Sequence, residues 1–140
     1  MGYSNIIDYV NIASTGNAVD FGDLLAGLTC YPAGCSNGTR GIFSGGEVWG
    51  GPDGGRSDVV SYVTIDTTAN SIDFGDLTVA RNSPSAVSDG TKGVIGGGSE
   101  PHPGSTVNTI DYVNIASLGN ASDFGDLTRT PTASVSASGD

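Results

Sequence analysis

Residues 111–127, with the sequence DYVNIASLGNASDFGDL, decide the predicted fold because the chain carries this stretch three times. It returns almost unchanged over 8–24 as DYVNIASTGNAVDFGDL, and more loosely over 61–77 as SYVTIDTTANSIDFGDL. The copies recur at an interval of roughly 50 residues, which is typical of propeller blades and other stacked repeats. We therefore predict a single domain made of copies of one structural unit. The repeats are placed near 1–46, 47–98 and 99–140.

The composition favours strands and argues against several classes of partner. The chain has 140 residues, of which 14% are charged, and its net charge is −10. This length suits one domain, and the prominent Val and Ile residues, with no sustained 3.6-residue period, predict strands and no helix. With only five Lys and Arg residues, we expect no nucleic-acid partner and no binding to an anionic membrane surface.

Each repeat is predicted to form four short strands joined by turns. The first carries a tyrosine and has apolar residues on both faces, as in sheets that pack face to face. The second contains the phenylalanine of the DFGDL block, and the third is rich in small residues that suit a crowded position. Asn37-Gly38 and Asp89-Gly90 predict hairpin turns into a fourth strand that ends in glycines. The predicted first strands are 6–13, 59–65 and 109–116, and the predicted third strands are 29–36, 83–88 and 132–138.

The third repeat stops where its glycine-ended strand is expected to begin, so the chain is predicted to be short of about one strand. An unfilled position in a sheet leaves backbone groups unpaired. We therefore expect another chain, or the rest of a longer parent protein, to supply the absent strand.

Cys30 and Cys35 are the only cysteines, and they lie close together in the sequence CYPAGC. Free thiols that pack against their neighbours are the favoured prediction. A disulfide stays open as an alternative, although closing so short a loop would add little stability. A zinc site would need two further ligands, and the only histidine, His102, is distant in the sequence.

Paired aspartates recur within the DFGDL block of every repeat. Because the same pair occurs in each copy, a structural role is favoured, in which these short acids accept hydrogen bonds from turn amides. The alternative is a calcium loop, since calcium prefers several carboxylate and carbonyl oxygens. We expect no cofactor and keep the aspartates as calcium candidates. They are Asp20, Asp23, Asp73, Asp76, Asp123 and Asp126.

The sequence carries no pattern of catalytic residues. A hydrolase needs a nucleophile beside a base, whereas this chain has one histidine and no GxSxG motif. Its glycine runs precede neither a helix nor a Lys-Ser/Thr pair, which argues against a phosphate loop. We expect no enzymatic activity. The predicted recognition groups are Trp49, Tyr31, Tyr3 and the loop around His102, because exposed aromatic rings stack on sugar faces; packing of Trp49 over a neighbouring repeat is the open alternative.

Several of these features together resemble the kelch repeat. Glycine pairs end the predicted fourth strands at Gly45-Gly46 and Gly97-Gly98, a tyrosine follows in the next strand, and Ala80-Arg81 follows the second DFGDL block. The likeness covers nearly the whole chain, but only the second repeat has the arginine in register. Phenylalanines stand near the place of the family's tryptophan, namely Phe21, Phe74 and Phe124. The blocks IDYVNIA and DFGDLT are similar to a kelch-like variety in proteins of marine bacteriophages.

The resemblance implies an all-β, kelch-like β-propeller with about three four-stranded blades per chain. Propellers have roughly four to eight blades, so a ring of six blades from two chains is the first expectation. A fragment of a longer propeller is the second. A β-solenoid or a stacked β-sandwich would have the same periodicity and stays an alternative.

The family's roles are mostly binding and scaffolding, which implies a non-enzymatic structural or adhesive module of a phage virion, in a tail or fibre. The expected partners are copies of the chain itself, other virion proteins or a surface glycan. An adaptor-type propeller that mediates protein–protein interaction inside a cell is the alternative. The expected location is a virion or the extracellular space, and the N-terminal sequence MGYSNIID lacks the features of a signal peptide.

Overall fold

A computed structural model describes residues 3–27, 29–51, 55–101 and 105–131 of the chain. These residues form twelve β-strands in four antiparallel sheets and no α-helix, which confirms the predicted all-β fold. The strands are β1 (Ile6–Tyr9), β2 (Val19–Asp23), β3 (Thr29–Cys30), β4 (Ala33–Ser36), β5 (Arg40–Ser44), β6 (Glu47–Val48), β7 (Val59–Thr64), β8 (Ile72–Asp76), β9 (Ser85–Ser88), β10 (Lys92–Gly96), β11 (Thr109–Asn114) and β12 (Ser122–Asp126).

Two of the sheets are four-stranded meanders. One has the strand order β4-β5-β7-β8, and the other has the order β9-β10-β11-β12. β1 and β2 form a separate pair that corresponds to the last two strands of each meander, while β3 and β6 pair with each other. A shift in register falls at the same place in all three tyrosine strands, which shows that the repeats share one local structure. The shifts lie between Ile7 and Asp8, Val60 and Ser61, and Ile110 and Asp111.

The structure confirms the two predicted hairpin turns and shows how their polar side chains hold them. Asn37 Oδ1 accepts hydrogen bonds from two backbone N–H groups leading into β5, at 3.0 and 2.8 Å. Asp89 Oδ1 accepts the matching bonds at the start of β10, at 2.8 and 2.7 Å. These bonds, above all the one from Lys92, lower the pKa of Asp89. Gly38 follows Asn37 with a φ of 84°, and Gly90 follows Asp89 with a φ of 82°. A tight turn requires such a positive φ, which glycine adopts readily.

The predicted third strands differ from the observed ones. The segment 29–36 is divided into β3 and β4, because Tyr31 between them has a left-handed φ of 58°. Ser83 has a similar φ of 53°, so β9 begins at Ser85 rather than at position 83. β3, which Tyr31 separates from β4, pairs with β6. The sequence pattern did not predict this small sheet. The strand predicted over 132–138 lies outside the described residues.

The main hydrophobic core joins the two four-stranded sheets. Its buried side chains come from both meanders, and they are Ile42, Val60, Tyr62, Phe74, Leu77, Ile95, Val113 and Ile115. Within each repeat the tyrosine and phenylalanine rings meet edge to face, with centroids 5.9 Å apart in all three copies. Edge-to-face pairs are a preferred arrangement of aromatic rings, so the repeats share one local packing unit, of which only the Tyr62–Phe74 pair lies in the main core.

The third strands β4 and β9 lie against each other, as their small side chains allow. A Cβ atom placed on Gly93 would lie 2.8 Å from Sγ of Cys35, so only glycine fits there without movement. Cys35 packs against the core, and both it and Cys30 are free thiols. The two sheets therefore meet closely at Cys35 and Gly93, whereas other residues of β4 and β9 line an open cleft, so the predicted crowding is present only at this point.

Successive repeats meet through one contact that occurs twice. The glycine of the DFGD block in one repeat faces a backbone carbonyl in the turn of the next, with Gly22 against Ala69 and Gly75 against Gly119. A Cβ atom on Gly75 would lie 2.5 Å from the Gly119 oxygen, and Gly75 has a φ of 147°. Side chains rarely adopt that φ, so both the space and the backbone conformation demand glycine.

The asparagine of the same turn adds a hydrogen bond to this contact. Asn70 Oδ1 accepts from the backbone N–H of Asp23 at 3.0 Å, and Asn120 Oδ1 accepts from that of Asp76 at 3.2 Å. The carbonyl of each aspartate then accepts from the residue after the asparagine, at 2.8 and 2.7 Å. We call this set of contacts the repeat junction.

A buried ion pair reinforces the second repeat junction. Arg81 Nη2 donates to Asp111 Oδ2 at 2.8 Å, and neither side chain is exposed. The same carboxylate accepts from the backbone N–H and the hydroxyl of Thr78, at 3.2 and 2.6 Å. Burial lowers the pKa of Arg81, and the charge of Asp111 opposes that shift. At the first junction the corresponding residues are Thr29 and Ser61, so the ion pair is not repeated.

The first sheet has two strands where each meander has four. β1 is also shorter than predicted and ends at Tyr9, since in the described residues it pairs with β2 alone. Ile12 is consequently 98% exposed, whereas Ile115, at the same place in the third repeat, is completely buried. Among the described residues no strand lies on the other side of β1, whereas β7 and β11 are paired on both sides, and the absent strand stays a prediction.

We predict that Gly75→Ala destabilises the fold much more than Gly125→Ala. Gly125 has a similar φ of 139°, but no atom lies within 4 Å of the position that its Cβ would take, so its substitution costs only backbone strain. We expect about 1–3 kcal/mol for Gly125→Ala, and about 2 kcal/mol more for Gly75→Ala because of its overlap with the Gly119 carbonyl. Thermal or urea unfolding at low protein concentration measures both. Equal losses in the free energy of unfolding would contradict the close contact between Gly75 and Gly119 at the repeat junction.

A second prediction concerns the buried ion pair. Asp111→Ser leaves Arg81 buried without its counter-charge, which we expect to cost about 3–5 kcal/mol in the free energy of unfolding. Adding Arg81→Thr reproduces the uncharged residues of the first junction and is expected to restore much of this loss. A double-mutant cycle in urea unfolding measures the coupling between the two positions. Additive losses would show that the pair does not act as a unit.

Candidate functional site

Short strands and a bridge bring three of the chain's polar and aromatic side chains together. β6 pairs with β3, and an isolated bridge from Ser4 to Thr29 places the residue before it, Tyr3, beside the same strands. Trp49 directly follows β6, which contains Glu47. We call Tyr3, Glu47 and Trp49 the Trp49 surface.

The geometry of the Trp49 surface combines an open ring with a fixed support. Trp49 is 68% exposed, and its ring meets that of Tyr3 edge to face with centroids 5.1 Å apart. The Tyr3 hydroxyl donates to Glu47 Oε1 at 2.7 Å, and Asn82 Nδ2 donates to Glu47 Oε2, also at 2.7 Å. Arg56 Nη1 lies 4.0 Å from the same carboxylate. The indole is therefore held from one side and open on the other.

These contacts also define the charges at the Trp49 surface. The hydrogen bond to Glu47 raises the pKa of Tyr3 to about 12, with burial as a smaller cause. The same bond lowers the pKa of Glu47, and the bond from Asn82 and the charge of Arg56 act in the same direction. At neutral pH the site therefore contains a neutral tyrosine, an ionised carboxylate and a nearby guanidinium.

This combination suits the binding of a polar ligand that has an apolar face. An exposed indole offers a flat surface on which the C–H face of a sugar ring can stack. The carboxylate beside it can accept a hydrogen bond from a ligand hydroxyl group, and the guanidinium can donate one to a hydroxyl oxygen. Because Tyr3, Asn82 and Arg56 already contact Glu47, little side-chain entropy is lost when a ligand binds.

The structure places the predicted recognition residues as follows. Tyr3 and Trp49, which lie in different predicted repeats, are brought into contact, so Trp49 packs on a neighbouring repeat with part of its ring and is 68% exposed. Tyr31 follows β3, is 45% exposed, and its carbonyl accepts a hydrogen bond from Ser83 N at 3.1 Å. His102 lies outside the described residues. Trp49 and Tyr3 thus form the core of the candidate site.

Two residues of this site were missed in the sequence. Glu47 follows the glycine pair Gly45-Gly46 and Asn82 follows Ala80-Arg81, but neither residue is itself part of these repeat features. They lie 35 positions apart, on β6 and in the segment between β8 and β9, and only the tertiary fold brings them together. The one available signal is that Glu47 is one of two glutamates in the chain, the other being Glu100.

The repeated aspartates are arranged as the turn hypothesis predicts at the one place where a bond is seen. Asp123 Oδ1 accepts from the backbone N–H of Gly125 at 3.1 Å. Among the residues that the structure describes, no three His, Cys, Asp or Glu side chains form a group that could hold a metal ion. The calcium hypothesis thus has no cluster of ligands in the described ranges.

A cleft of about 430 Å³ lies between β4, β5 and β9. Cys35 lines it, and burial raises the pKa of that thiol to about 11, so it is protonated at neutral pH. A protonated, buried thiol is a poor nucleophile.

No helix in the described residues is long and apolar enough to cross a membrane.

We predict that the Trp49 surface changes in acid through Glu47. The pKa of Glu47 is lowered in the folded chain, so the Tyr3 and Asn82 contacts are complete above the ordinary glutamate pKa. They are lost as the pH falls through the lowered value. Trp49 is the only tryptophan, so its fluorescence is expected to report a transition below the usual glutamate range. Glu47→Gln should abolish that transition, and its persistence in this variant would contradict the assignment.

We compared the chain with models of known protein families and with functionally curated proteins, and neither comparison gave a match.

Proposed function

We propose that the chain is a non-enzymatic structural or adhesive module built from kelch-like β-propeller blades. A propeller blade is a four-stranded antiparallel meander, and blades follow one another around an axis. The two meanders and the junction that recurs between successive repeats support this proposal. The small residues of β4 and β9, which lie against each other, agree with a position near such an axis.

The adhesive role is carried by one observation, the exposed and supported ring of Trp49. A large aromatic ring that is open to solvent and held by its neighbours can stack on a flat ligand face without first being ordered. Here the ring is 68% exposed, while Tyr3, Glu47 and Asn82 hold its surroundings in place. We propose a surface glycan as the ligand, because the adjoining charged and amide groups suit hydroxyls.

We further propose that the module belongs to a phage particle, in a tail or fibre. The likeness of IDYVNIA and DFGDLT to kelch-like phage repeats supports this location, and a surface glycan is the kind of ligand that a virion attachment protein meets. The alternative is an adaptor-type propeller that binds a protein inside a cell. The two functions differ in the ligand of the Trp49 surface.

Glycan-array binding, followed by titration of Trp49 fluorescence with the glycans that bind, tests the adhesive role. We expect Trp49→Ala to abolish binding and Glu47→Gln to weaken it by about tenfold, as for the loss of a charged hydrogen bond. Ile72→Ser is the matched control, because Ile72 is a similarly exposed apolar residue on β8, away from β3 and β6. Silence on every glycan would favour the adaptor function. Binding that survives Trp49→Ala would exclude this surface as the glycan site.

A further inference from the structure

The third repeat has a junction surface that no other part of the described chain occupies. Phe21 and Phe74, in the first two DFGD blocks, are 8% and 2% exposed, whereas Phe124 in the third is 56% exposed. Gly125 has the junction backbone, with a φ of 139°, yet nothing lies within 4 Å of where its Cβ would be. We call residues 122–128 the open junction strand.

The first repeat has the complementary half of the junction. The turn over 14–18 corresponds to the two turns that dock inside the chain, 67–71 and 117–121. Within it, Gly16-Asn17-Ala18 is identical to Gly119-Asn120-Ala121, which docks on the second DFGD block. Asn17 is exposed and its side chain has no hydrogen-bond partner among the described residues. We call residues 14–18 the open turn.

A second pair of positions matches the same two surfaces. At the second junction Thr78, which follows DFGDL, donates its hydroxyl to Asp111 in the next repeat at 2.6 Å. At the first junction the residues at these two positions are Leu25 and Ser61, so both the threonine and the aspartate are replaced. The open junction strand ends in Thr128, which corresponds to Thr78.

The position that corresponds to Asp111 in the first repeat is Asp8, which is exposed. Thr128 and Asp8 therefore have the residue types of the Thr78–Asp111 pair rather than those of Leu25 and Ser61. The third repeat supplies the glycine and the threonine of a junction, as Gly125 and Thr128. The first repeat supplies the asparagine and the aspartate, as Asn17 and Asp8. The two open surfaces therefore have the residue types of the second junction.

We infer that the open junction strand of one chain binds the open turn of a second copy of the same chain. Phe124 is covered by that turn, Asn17 Oδ1 accepts from the backbone N–H of Asp126, and Thr128 donates to Asp8. The inference rests on the proposed structural role and names its partner. The contact is heterologous, because it joins different surfaces of the two copies, and two such contacts close a ring from two chains.

Native mass spectrometry and sedimentation over a range of concentrations test this inference. We expect the natural chain to assemble in multiples of 14.0 kDa, with the two-chain ring as the main species. Phe124→Ser and Asn17→Ala should each weaken assembly by about tenfold or more, as for central residues of an interface. Ile72→Ser removes a comparably exposed apolar side chain from β8 and should leave assembly unchanged.

Mixing the two weakened variants gives the sharpest outcome. The Asn17→Ala chain keeps its open junction strand and the Phe124→Ser chain keeps its open turn, so a one-to-one pair should form where neither variant assembles alone. Asn17 is exposed, so the dilute Asn17→Ala chain should melt at the same temperature as the unchanged chain, and Phe124→Ser should lower the melting temperature only slightly because it loses the ring contact with Tyr112. A natural chain that stays at 14.0 kDa, or assembly that both variants leave intact, would overturn the inference. Glycan binding through Trp49 is read separately, so a monomer that still binds glycans refutes the assembly alone.

Discussion

The close approach of a DFGD glycine to the carbonyl of the next turn is the constraint on which the rest of the structure depends. Gly75 would place a Cβ atom 2.5 Å from the Gly119 oxygen, so the two repeats can approach this closely only where the side chain is absent. That approach brings the turn over Phe74, which is 2% exposed, and aligns the hydrogen bond from Asp76 to Asn120. Each repeat cannot bury its apolar face alone, so stability is gained one junction at a time.

The two junctions inside the chain share this backbone contact but differ in the side chains around it. The second contains the buried pair Arg81–Asp111 with Thr78, and the first contains only uncharged residues at these places. Because burying a charge pair requires a matched partner, such a junction accepts fewer neighbours than an uncharged one. The backbone contact therefore provides a common way of stacking, and the side chains distinguish one junction from another. The Trp49 surface consists of a separate group of residues, so the proposed assembly and the proposed glycan binding use different surfaces.

Much of the fold could be predicted because its signals are local. The strand preference of Val and Ile, the Asn37-Gly38 turn and the Asp89-Gly90 turn all act over a few positions, and the structure contains the strands and both turns. The bounds predicted for the third strands of the first two repeats were wrong because Tyr31 and Ser83 take a positive φ that neither residue type favours. Ser83 N donates to the Tyr31 carbonyl, a contact between two repeats that holds both residues where they are. In the candidate site, aromatic character pointed to Trp49 and Tyr3, whereas nothing local pointed to Glu47 or Asn82.

By itself the sequence determined that this protein is all-β, that it repeats one unit about every 50 residues, and where its turns lie, since periodicity and turn chemistry depend on neighbouring residues. Only the tertiary structure decided which residues meet at the junctions and at the Trp49 surface. Asp23 and Asn70 are 47 positions apart, and Glu47 and Asn82 are 35 apart. Contacts over such separations depend on how whole sheets pack, because the chain between two partners places no requirement on either residue type.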